Sequence, residues 1–355
     1  MKIKLAILEN DKNYLNRIVT AFGVKYSDKF EIYSFTDPAV AMKTLNEVKI
    51  DVLVASEAFD IDVEKIPKRC GFAYFVDSSD IDMLNNQRTI CKFQKADLIY
   101  KQILSIYSEI AGNITGLKIN DDDCKLIAFA SPSGGCGCST MAAACALHFS
   151  KQGKKTLYLN LEKYGSSDVF FLAEGQFDMS DIIFALKSKK ANLSMKLESC
   201  AKQDNRGVYF YSPTKVALDM LELSSEDILR LISELKLTGL YDYIVLDMEF
   251  RLDKGYLDIF GQVHSIVTVG DGSEISNIKI LRGYNALIAK EQDAEASIAN
   301  RIVLMYNKFS NKSSRALDNI EIKNIGGAPR YEHATTEQII NQLSLLTVFD
   351  DIINI

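Results

Sequence analysis

Short apolar runs alternate with amphipathic stretches along the first 112 residues of the chain. Runs of four or five residues bounded by polar residues predict β-strands, and apolar residues repeating at i, i+3 and i+4 predict helices. Alternation of this kind predicts a doubly wound α/β domain with a parallel sheet. The predicted strands are Lys4–Leu8, Phe30–Ser34, Asp51–Ala55, Ala73–Val76 and Thr89–Lys92, and the predicted helices are Asn13–Phe22, Pro38–Val48 and Lys95–Ile110.

A second alternation begins at Cys124, after a segment (113–123) in which Asn, Asp and Gly are concentrated. That composition predicts a linker, and residues 124–355 then form a second α/β domain with a mostly parallel sheet. The chain is therefore predicted to be two α/β domains. The second set of predicted strands is Leu126–Ala130, Thr156–Leu161, Val208–Tyr211, Tyr243–Asp247, Ser265–Val269 and Ile302–Tyr306, with long helices at Thr140–Lys151, Ser225–Leu235 and Glu274–Ala289.

Composition and charge restrict the class of protein. The 355 residues are 47% hydrophobic and 25% charged, as in ordinary globular proteins. A net charge of −6 argues against a general nucleic-acid surface. No apolar run has transmembrane length, and the beginning of the chain lacks the apolar stretch of a signal peptide. Seven cysteines without paired spacing suit a reducing cytoplasm, so we expect a cytoplasmic protein.

A glycine-rich segment, SGGCGCST at residues 133–140, joins a predicted strand to a predicted helix. Phosphate-binding loops use glycines there so that successive backbone N–H groups surround a phosphate in front of a helix N-terminus. Ser139 takes the place of the Mg²⁺-binding hydroxyl, but Cys138 takes the place of the lysine. The loop therefore predicts nucleotide binding with poor hydrolysis. Cys136 and Cys138, one residue apart, could also form a metal-binding or redox pair. The simpler interpretation is that both are small residues that fill a tight loop.

The first predicted domain resembles the receiver domains of two-component signalling, which have a flavodoxin-like fold. The resemblance implies an acidic pair after the first strand, a phosphate-accepting Asp after the third and a Lys after the fifth. These positions hold Glu9 and Asn10, then Ser56, and then Lys92. A serine does not form the labile acyl phosphate of a receiver. The resemblance thus implies a receiver-like domain kept for interactions, with phosphorylation at Ser56 as the alternative.

The second predicted domain resembles the MinD/ParA ATPases, which have a P-loop NTPase fold. The family's loop is KGGxGK[ST][ST], so Ser133 and Cys138 replace both of its lysines. The resemblance implies ATP and Mg²⁺ as cofactors. It implies nucleotide contacts for Ser133, Gly134, Gly135, Cys136, Gly137, Cys138, Ser139, Thr140, Asn307, Lys308 and Pro329.

The resemblance also implies a role for single residues. The family's first switch segment is an apolar strand that ends in DxD, and here it reads LYLNLE. The second acid of that motif, which positions the attacking water, corresponds to Glu162. Asp247, which ends the Walker B strand YDYIVLD, approaches Mg²⁺ through water, and Ser139 is a direct metal ligand. Asn307 reads the adenine edge, and the loop ending at Pro329 covers the base. Lys163, Lys308 and Arg251 are the cations that we consider as replacements for the lost lysines.

The order of the two domains resembles that of the TadZ/CpaE pilus-assembly proteins. The resemblance implies a cytoplasmic homodimer that binds protein components of the Tad (type IVc) pilus secretion machinery and positions it, often at a cell pole, with slow or absent ATP hydrolysis. Residues 336–349 are amphipathic, but no Lys or Arg follows Arg330, so packing is favoured over lipid contact. Two alternatives stay open: an active ParA/MinD-type ATPase that positions cargo or septum components, and a receiver-controlled signalling protein.

Overall fold

The computed structural model describes residues 2–110, 124–189, 192–291, 297–318 and 320–353. The chain folds into two compact units: residues 1–116 together with 188–200, and residues 117–187 together with 201–355. The predicted linker, 113–123, lies outside the described residues. Within the described ranges no helix is long and apolar enough to cross a membrane.

Within the part of the chain that the structure describes, all eleven predicted strands are present. The structure contains three further strands, which are short or irregular. The strands are β1 (Ile3–Leu8), β2 (Phe30–Phe35), β3 (Val52–Ser56), β4 (Gly71–Val76), β5 (Met83–Leu84), β6 (Gln87–Cys91), β7 (Lys125–Phe129), β8 (Thr156–Asn160), β9 (Lys202–Gln203), β10 (Tyr209–Phe210), β11 (Tyr243–Asp247), β12 (Ser265–Gly270), β13 (Ile302–Phe309) and β14 (Lys323–Pro329). The added strands are β5, β9 and β14.

The described α-helices connect these strands. They are α1 (Lys12–Lys25), α2 (Pro38–Glu47), α3 (Ala96–Ile110), α4 (Cys138–Lys151), α5 (Ser167–Phe170), α6 (Met179–Lys187), α7 (Leu193–Cys200), α8 (Leu218–Leu221), α9 (Ser225–Thr238), α10 (Lys254–Gln262), α11 (Glu274–Glu291) and α12 (Thr336–Leu343). Short 3₁₀ turns lie at Val63–Lys65, Ala299–Arg301 and Thr347–Ile353.

The sheet of the first unit has the strand order β2-β1-β3-β4-β6-β5. Its pairs are parallel except for the β5–β6 hairpin, whose turn residues Asn85 and Asn86 have φ values of 51° and 59°. Positive φ at both positions is what a two-residue hairpin turn of this twist requires. Strand β1 buries both faces, with Leu5 in the cluster on one side of the sheet and Leu8 in the cluster on the other. A continuous apolar run is the expected pattern for such a strand.

Helix α7 is part of the first unit although it lies far along the chain. It packs on α3, and polar contacts fix it there: Lys196 Nζ donates to Ser105 Oγ (3.0 Å), and the Tyr100 hydroxyl donates to Glu198 Oε1 (2.7 Å). Lys29 Nζ also reaches Glu198 at 3.3 Å. The apolar face of α3 is therefore covered by a segment from beyond residue 187.

The sheet of the second unit has the order β14-β13-β12-β7-β11-β8-β10-β9, parallel except for β9 with β10. Helix α4 follows β7 and buries a run of small residues, 142–146, against this sheet. The carboxyl ends of β7, β8, β11 and β12 meet at one edge, where ligands of open parallel sheets bind. This edge carries the candidate site.

Candidate functional site

The loop between β7 and α4 has the backbone of a phosphate cradle. Gly135 and Gly137 have φ values of 78° and 84°, in the left-handed region that favours glycine. Gly137 directly precedes α4, and among the described residues no side chain caps that helix. The first N–H groups of α4 are thus left for a ligand, together with the positive end of the helix dipole.

Two consecutive residues of β13 hold the carbonyl groups of this loop. Asn307 is buried and donates from Nδ2 to the Cys136 carbonyl at 2.9 Å, while Lys308 Nζ donates to the Gly135 carbonyl at 2.9 Å. A Cβ atom on Gly137 would lie 2.4 Å from Asn307 Nδ2, so only glycine fits there. The amide of Asn307 therefore ties the loop to β13.

The cysteines and serines of the loop have different surroundings. Cys136 is buried and its thiol donates to the Ser133 carbonyl at 3.0 Å. Ser133 is itself buried, and its N–H donates to Ser131 Oγ at 3.1 Å. In the described ranges no three His, Cys, Asp or Glu side chains are arranged to hold a metal ion. The buried thiol of Cys136 thus packs inside the turn of the loop.

Asp247 ends β11 and is almost fully buried. Its partner in the neighbouring strand β8 is Asn160, so the two side chains leave the sheet at the same edge. Asp247 Oδ2 accepts from the Tyr158 hydroxyl at 2.6 Å and from Asn160 Nδ2 at 2.9 Å. Within the described part of the chain, Asp247 Oδ1 has no hydrogen-bond partner. A buried carboxylate oxygen without a partner is costly and indicates a ligand, a water or an ion.

The site contains two carboxyl groups. Burial and, after it, the charge of Glu162 raise the pKa of Asp247 to about 7, against the hydrogen bonds from Tyr158, Ser139 and Asn160, which lower it. Ser139 Oγ donates to Glu162 Oε2 at 3.3 Å. Burial, followed by the charge of Asp247, also raises the pKa of the Cys138 thiol well above its ordinary value. The lysine position therefore carries a neutral group.

Of the three cations considered as replacements, Lys308 is the one at the loop. Lys163 Nζ donates to the carbonyls of Met220 (2.9 Å) and Leu223 (3.2 Å). Arg251 pairs with Asp253 at 2.9 Å and lies over the ring of Tyr256. Both side chains are thus committed elsewhere.

The structure brings most of the predicted residues together: the 133–140 loop, Glu162, Asp247, Asn307 and Lys308. Thr140 is half-buried in the first turn of α4, and Pro329 is exposed at the end of β14, opposite Phe309 of β13.

Sequence reasoning missed Tyr158 and Asn160 as partners of Asp247. The two residues are two positions apart in a strand, so their side chains lie on the same face of the sheet. That spacing was the signal in the sequence that they act together.

The corresponding edge of the first unit holds a closed polar network. Lys92 Nζ lies 2.8 Å from Asp77 Oδ1 and 3.5 Å from Oε2 of Glu9. Burial lowers the pKa of Lys92, but its hydrogen bond to Asp77 and the charge of Glu9 outweigh that and raise the pKa. Ser56 is buried, and its hydroxyl donates to Asn10 Oδ1 at 3.3 Å. The phosphate-accepting position is therefore closed off.

Comparisons with known proteins agree with both folds. Residues 1–108 match the family model described as "TadZ-like, receiver domain". No curated protein matches the chain significantly. Among solved structures, it is similar to a ParA family ATPase from Chlorobium tepidum TLS, with 18% identity, a TM-score of 0.51, and coverage of 66% of this chain and 98% of that one.

A second solved structure is the MinC:MinD cell division protein complex from Aquifex aeolicus, with 18% identity, a TM-score of 0.49, and coverage of 65% of this chain and 93% of that one. At 18% identity, the likeness to the Chlorobium protein shows the fold alone. The predicted receiver-like fold and the predicted ParA-type P-loop fold are both confirmed.

Proposed function

For a chain that joins a TadZ-like receiver domain to a ParA-like fold, we propose an ATP-binding localisation and assembly factor of the Tad (type IVc) pilus secretion machinery. In this proposal the 133–140 loop binds the phosphates, and Ser139 and, through water, Asp247 would hold Mg²⁺. The protein acts in the cytoplasm, concentrated at a cell pole, and hydrolyses ATP slowly or not at all.

The observation that carries the proposal is the second carboxylate oxygen of Asp247. Oδ1 is buried at the edge where α4 begins and has no partner in the described residues. Ser139, in the first turn of α4, supplies a second oxygen to the same site. Mg²⁺ in nucleotide sites takes one or two protein oxygens and completes its shell with water and phosphate. Asp247 and Ser139 therefore fit this ion without a larger group of acids.

Different groups of the chain would bind different parts of the nucleotide. Backbone N–H groups of the loop and of the α4 N-terminus bind phosphate oxygens, and Asn307 Oδ1 accepts from the base. Bound Mg²⁺ would supply the positive charge that the phosphates need. Glu162 lies within reach of Ser139 and would orient a water molecule beside the terminal phosphate.

Weak hydrolysis follows from the neutral thiol at Cys138. Phosphoryl transfer is catalysed by positioning and by neutralising charge on the transferred group, and cationic clamps there contribute several powers of ten in rate. Binding suffers less, because backbone N–H groups and the helix dipole still act on the phosphates. We therefore propose a protein that responds to the presence of ATP rather than to its turnover.

The proposal includes a homodimer that other pilus components recognise. Large apolar side chains are exposed on the two segments that follow Glu162 and β10 and that line a common cavity of about 60 Å³. These side chains would contact a second copy of the chain. They are Tyr164, Val169, Leu172, Val216, Leu218 and Leu221.

Calorimetric titration with Mg·ATP tests the nucleotide site. We expect the wild-type protein to bind, and Ser139→Ala to weaken binding about tenfold because one charge-assisted contact is lost. Ser150→Ala is the matched control, since Ser150 lies at the far end of α4 and donates to the Arg206 carbonyl. A wild-type protein that binds no Mg·ATP, or a Ser139→Ala variant with unchanged affinity, would overturn the assignment.

A further inference from the structure

Asn160 connects the two carboxyl-bearing residues of the candidate site. Its Nδ2 donates to Asp247 Oδ2 at 2.9 Å, and its Oδ1 accepts the backbone N–H of Glu162 at 3.1 Å. The Tyr158 hydroxyl donates to the same oxygen of Asp247 and lies 3.2 Å from Asn160 Nδ2. Two donors thus hold Asp247 through Oδ2, whereas Oδ1 meets the geometry of a hydrogen bond with no described residue.

Among the described residues, no lysine or arginine gives these carboxyl groups the positive charge that normally accompanies them. A phosphate-binding loop places a lysine where this chain has Cys138. Lys163 is turned towards the carbonyls of Met220 and Leu223, and Lys308 Nζ is bonded to the carbonyl of Gly135. The carboxylate of Asp247 therefore depends on neutral donors.

The side chain at position 160 must donate a hydrogen bond to Asp247 and accept one from the N–H of Glu162, and only an amide does both. An aspartate has the same shape and could still accept the N–H of Glu162, but it would bring a second carboxylate oxygen to within about 3 Å of Asp247 instead of a donor. The chain also passes close to this amide: a Cβ atom on Gly165 would lie 2.3 Å from Asn160 Oδ1. The position of Asn160 is therefore fixed from two sides.

We propose that Asn160 is a positioning residue that compensates for the missing loop lysine. Together with the Tyr158 hydroxyl, its amide holds the buried carboxylate of Asp247 in place without a cation at position 138. This inference rests on the proposed function, because it gives Asp247 its role beside Mg²⁺. It goes further in coupling two positions: an acid at 160 is tolerated only with a cation at 138.

A double-mutant cycle tests this coupling in the full-length protein. Thermal unfolding is measured without nucleotide and with a chelator present, for the wild type, Asn160→Asp, Cys138→Lys and the double variant. We expect Asn160→Asp to lower the unfolding temperature by about 5 °C, and Cys138→Lys to restore at least half of that loss. The matched control is Cys138→Met, which has similar length without charge and should restore nothing in the Asn160→Asp background.

Nucleotide affinity is a second measurement. If Asn160 had only a structural role, the affinity would not follow the same pattern across the variants. The Kd for Mg·ATP should rise about tenfold in Asn160→Asp and recover in the double variant with Lys, but not with Met. Failure of the wild type to bind nucleotide would refute the proposed function, whereas the coupling in the metal-free unfolding experiment decides the inference about Asn160.

Tyr158→Phe keeps the inference testable if Asn160→Asp does not fold. It removes one donor from Asp247 Oδ2 and keeps the shape of the ring, so it should also lower the unfolding temperature and weaken Mg·ATP binding. Three results would overturn the inference: an unchanged unfolding temperature in Asn160→Asp, rescue by Met equal to rescue by Lys, or a Tyr158→Phe variant that matches the wild type in both measurements.

Discussion

Lys92 Nζ lies 3.5 Å from Oε2 of Glu9, a side chain that is fully buried. Asp77 contacts the same ammonium group at 2.8 Å. A working receiver would bind a metal ion beside its acidic pair, whereas here an internal cation neutralises the one acid that is left. The first unit therefore neutralises the charge of Glu9 with a cation of its own, Lys92.

Replacing Lys92 by Met should destabilise the first unit. Removing one partner of a buried ion pair leaves an uncompensated charge and costs about 3–5 kcal/mol. Urea unfolding followed by circular dichroism measures this loss. Lys43→Met is the control, because Lys43 makes an exposed pair with Glu47 whose loss should change the free energy of unfolding by less than about 1 kcal/mol. Equal stability of the two variants would contradict the role given to Lys92.

The first unit should not respond to phosphate donors. Ser56 is buried, its hydroxyl is bonded to Asn10, and Lys92 is already neutralised. Incubation with acetyl phosphate or beryllofluoride should leave the circular dichroism spectrum and the sedimentation coefficient unchanged. A labile phosphate detected by mass spectrometry on any residue of this unit would favour the signalling alternative instead.

ATP hydrolysis by the wild type should be slower than about 1 s⁻¹, the low end of ordinary enzymes. The thiol of Cys138 brings no charge to the transferred phosphate, so Cys138→Lys should raise the rate if Glu162 orients water. A phosphate-release assay measures both proteins, and Cys138→Lys with Glu162→Gln is the control that should stay slow. Wild-type turnover at ordinary enzyme rates would mean that another cation supplies the missing charge.

The strands of both sheets were predictable because they are locally encoded. Strand β1, for example, is an apolar run between polar residues, and burial of both its faces is the physical cause of that pattern. Strand β5 has two residues, too few for a period to be recognised. Helix α7 was not assigned to the first unit, because its contact between Tyr100 and Glu198 joins residues 98 positions apart and leaves no local signature.

The candidate site likewise has features that short sequence segments encode and features that depend on tertiary structure. The loop 133–140 and Asp247 were predictable, since glycine spacing and a strand ending in an acid are properties of short segments. The partners of Asp247 were not, because the contact of Asn160 with Asp247 depends on the register of β8 against β11. The commitment of Lys163 to the Met220 carbonyl is also a matter of tertiary structure. Sequence reasoning therefore located the cradle but not the charge balance around it.

Stability should depend on pH through Asp227, which lies in the first turn of α9. Burial works against its charged form, but bonds from Lys187 Nζ (2.7 Å) and from Ser224 outweigh that and lower its pKa. Because the folded-state pKa lies below the unfolded value of about 3.9, the stabilisation is complete above that pH and is lost as the pH falls through the folded-state value.

The variant Asp227→Asn should therefore cost about 1 kcal/mol at pH 7. The difference from the wild type should shrink below about pH 4, where the Asp227 carboxyl of the unfolded chain takes up a proton that the folded chain takes up only at lower pH. Urea unfolding at both pH values measures it, with Asp258→Asn on the exposed side of α10 as control. A cost that is the same at pH 3 and pH 7 would show that the charge of Asp227 contributes nothing.

Finally, the chain should form a homodimer whose dependence on ATP is modest. Ser133 is short and buried, so it does not reach across to a partner's phosphates as a lysine at that position would. Apolar contact must then supply most of the association free energy, and Leu172 and Leu218, which are 74% and 66% exposed, are available for it. Sedimentation velocity at micromolar concentration, with and without nucleotide, measures the dimer.

Leu172→Glu and Leu218→Glu should each shift that equilibrium towards monomer, because a charge buried at an apolar interface loses its hydration without gaining a partner. Leu345→Glu is the matched control: its side chain is 65% exposed but lies in the C-terminal segment, after α12. A wild type that is monomeric under both conditions would rule out the dimer. If Leu172→Glu and Leu218→Glu shift the equilibrium no more than Leu345→Glu does, the dimer forms through a surface other than the one beside the nucleotide site.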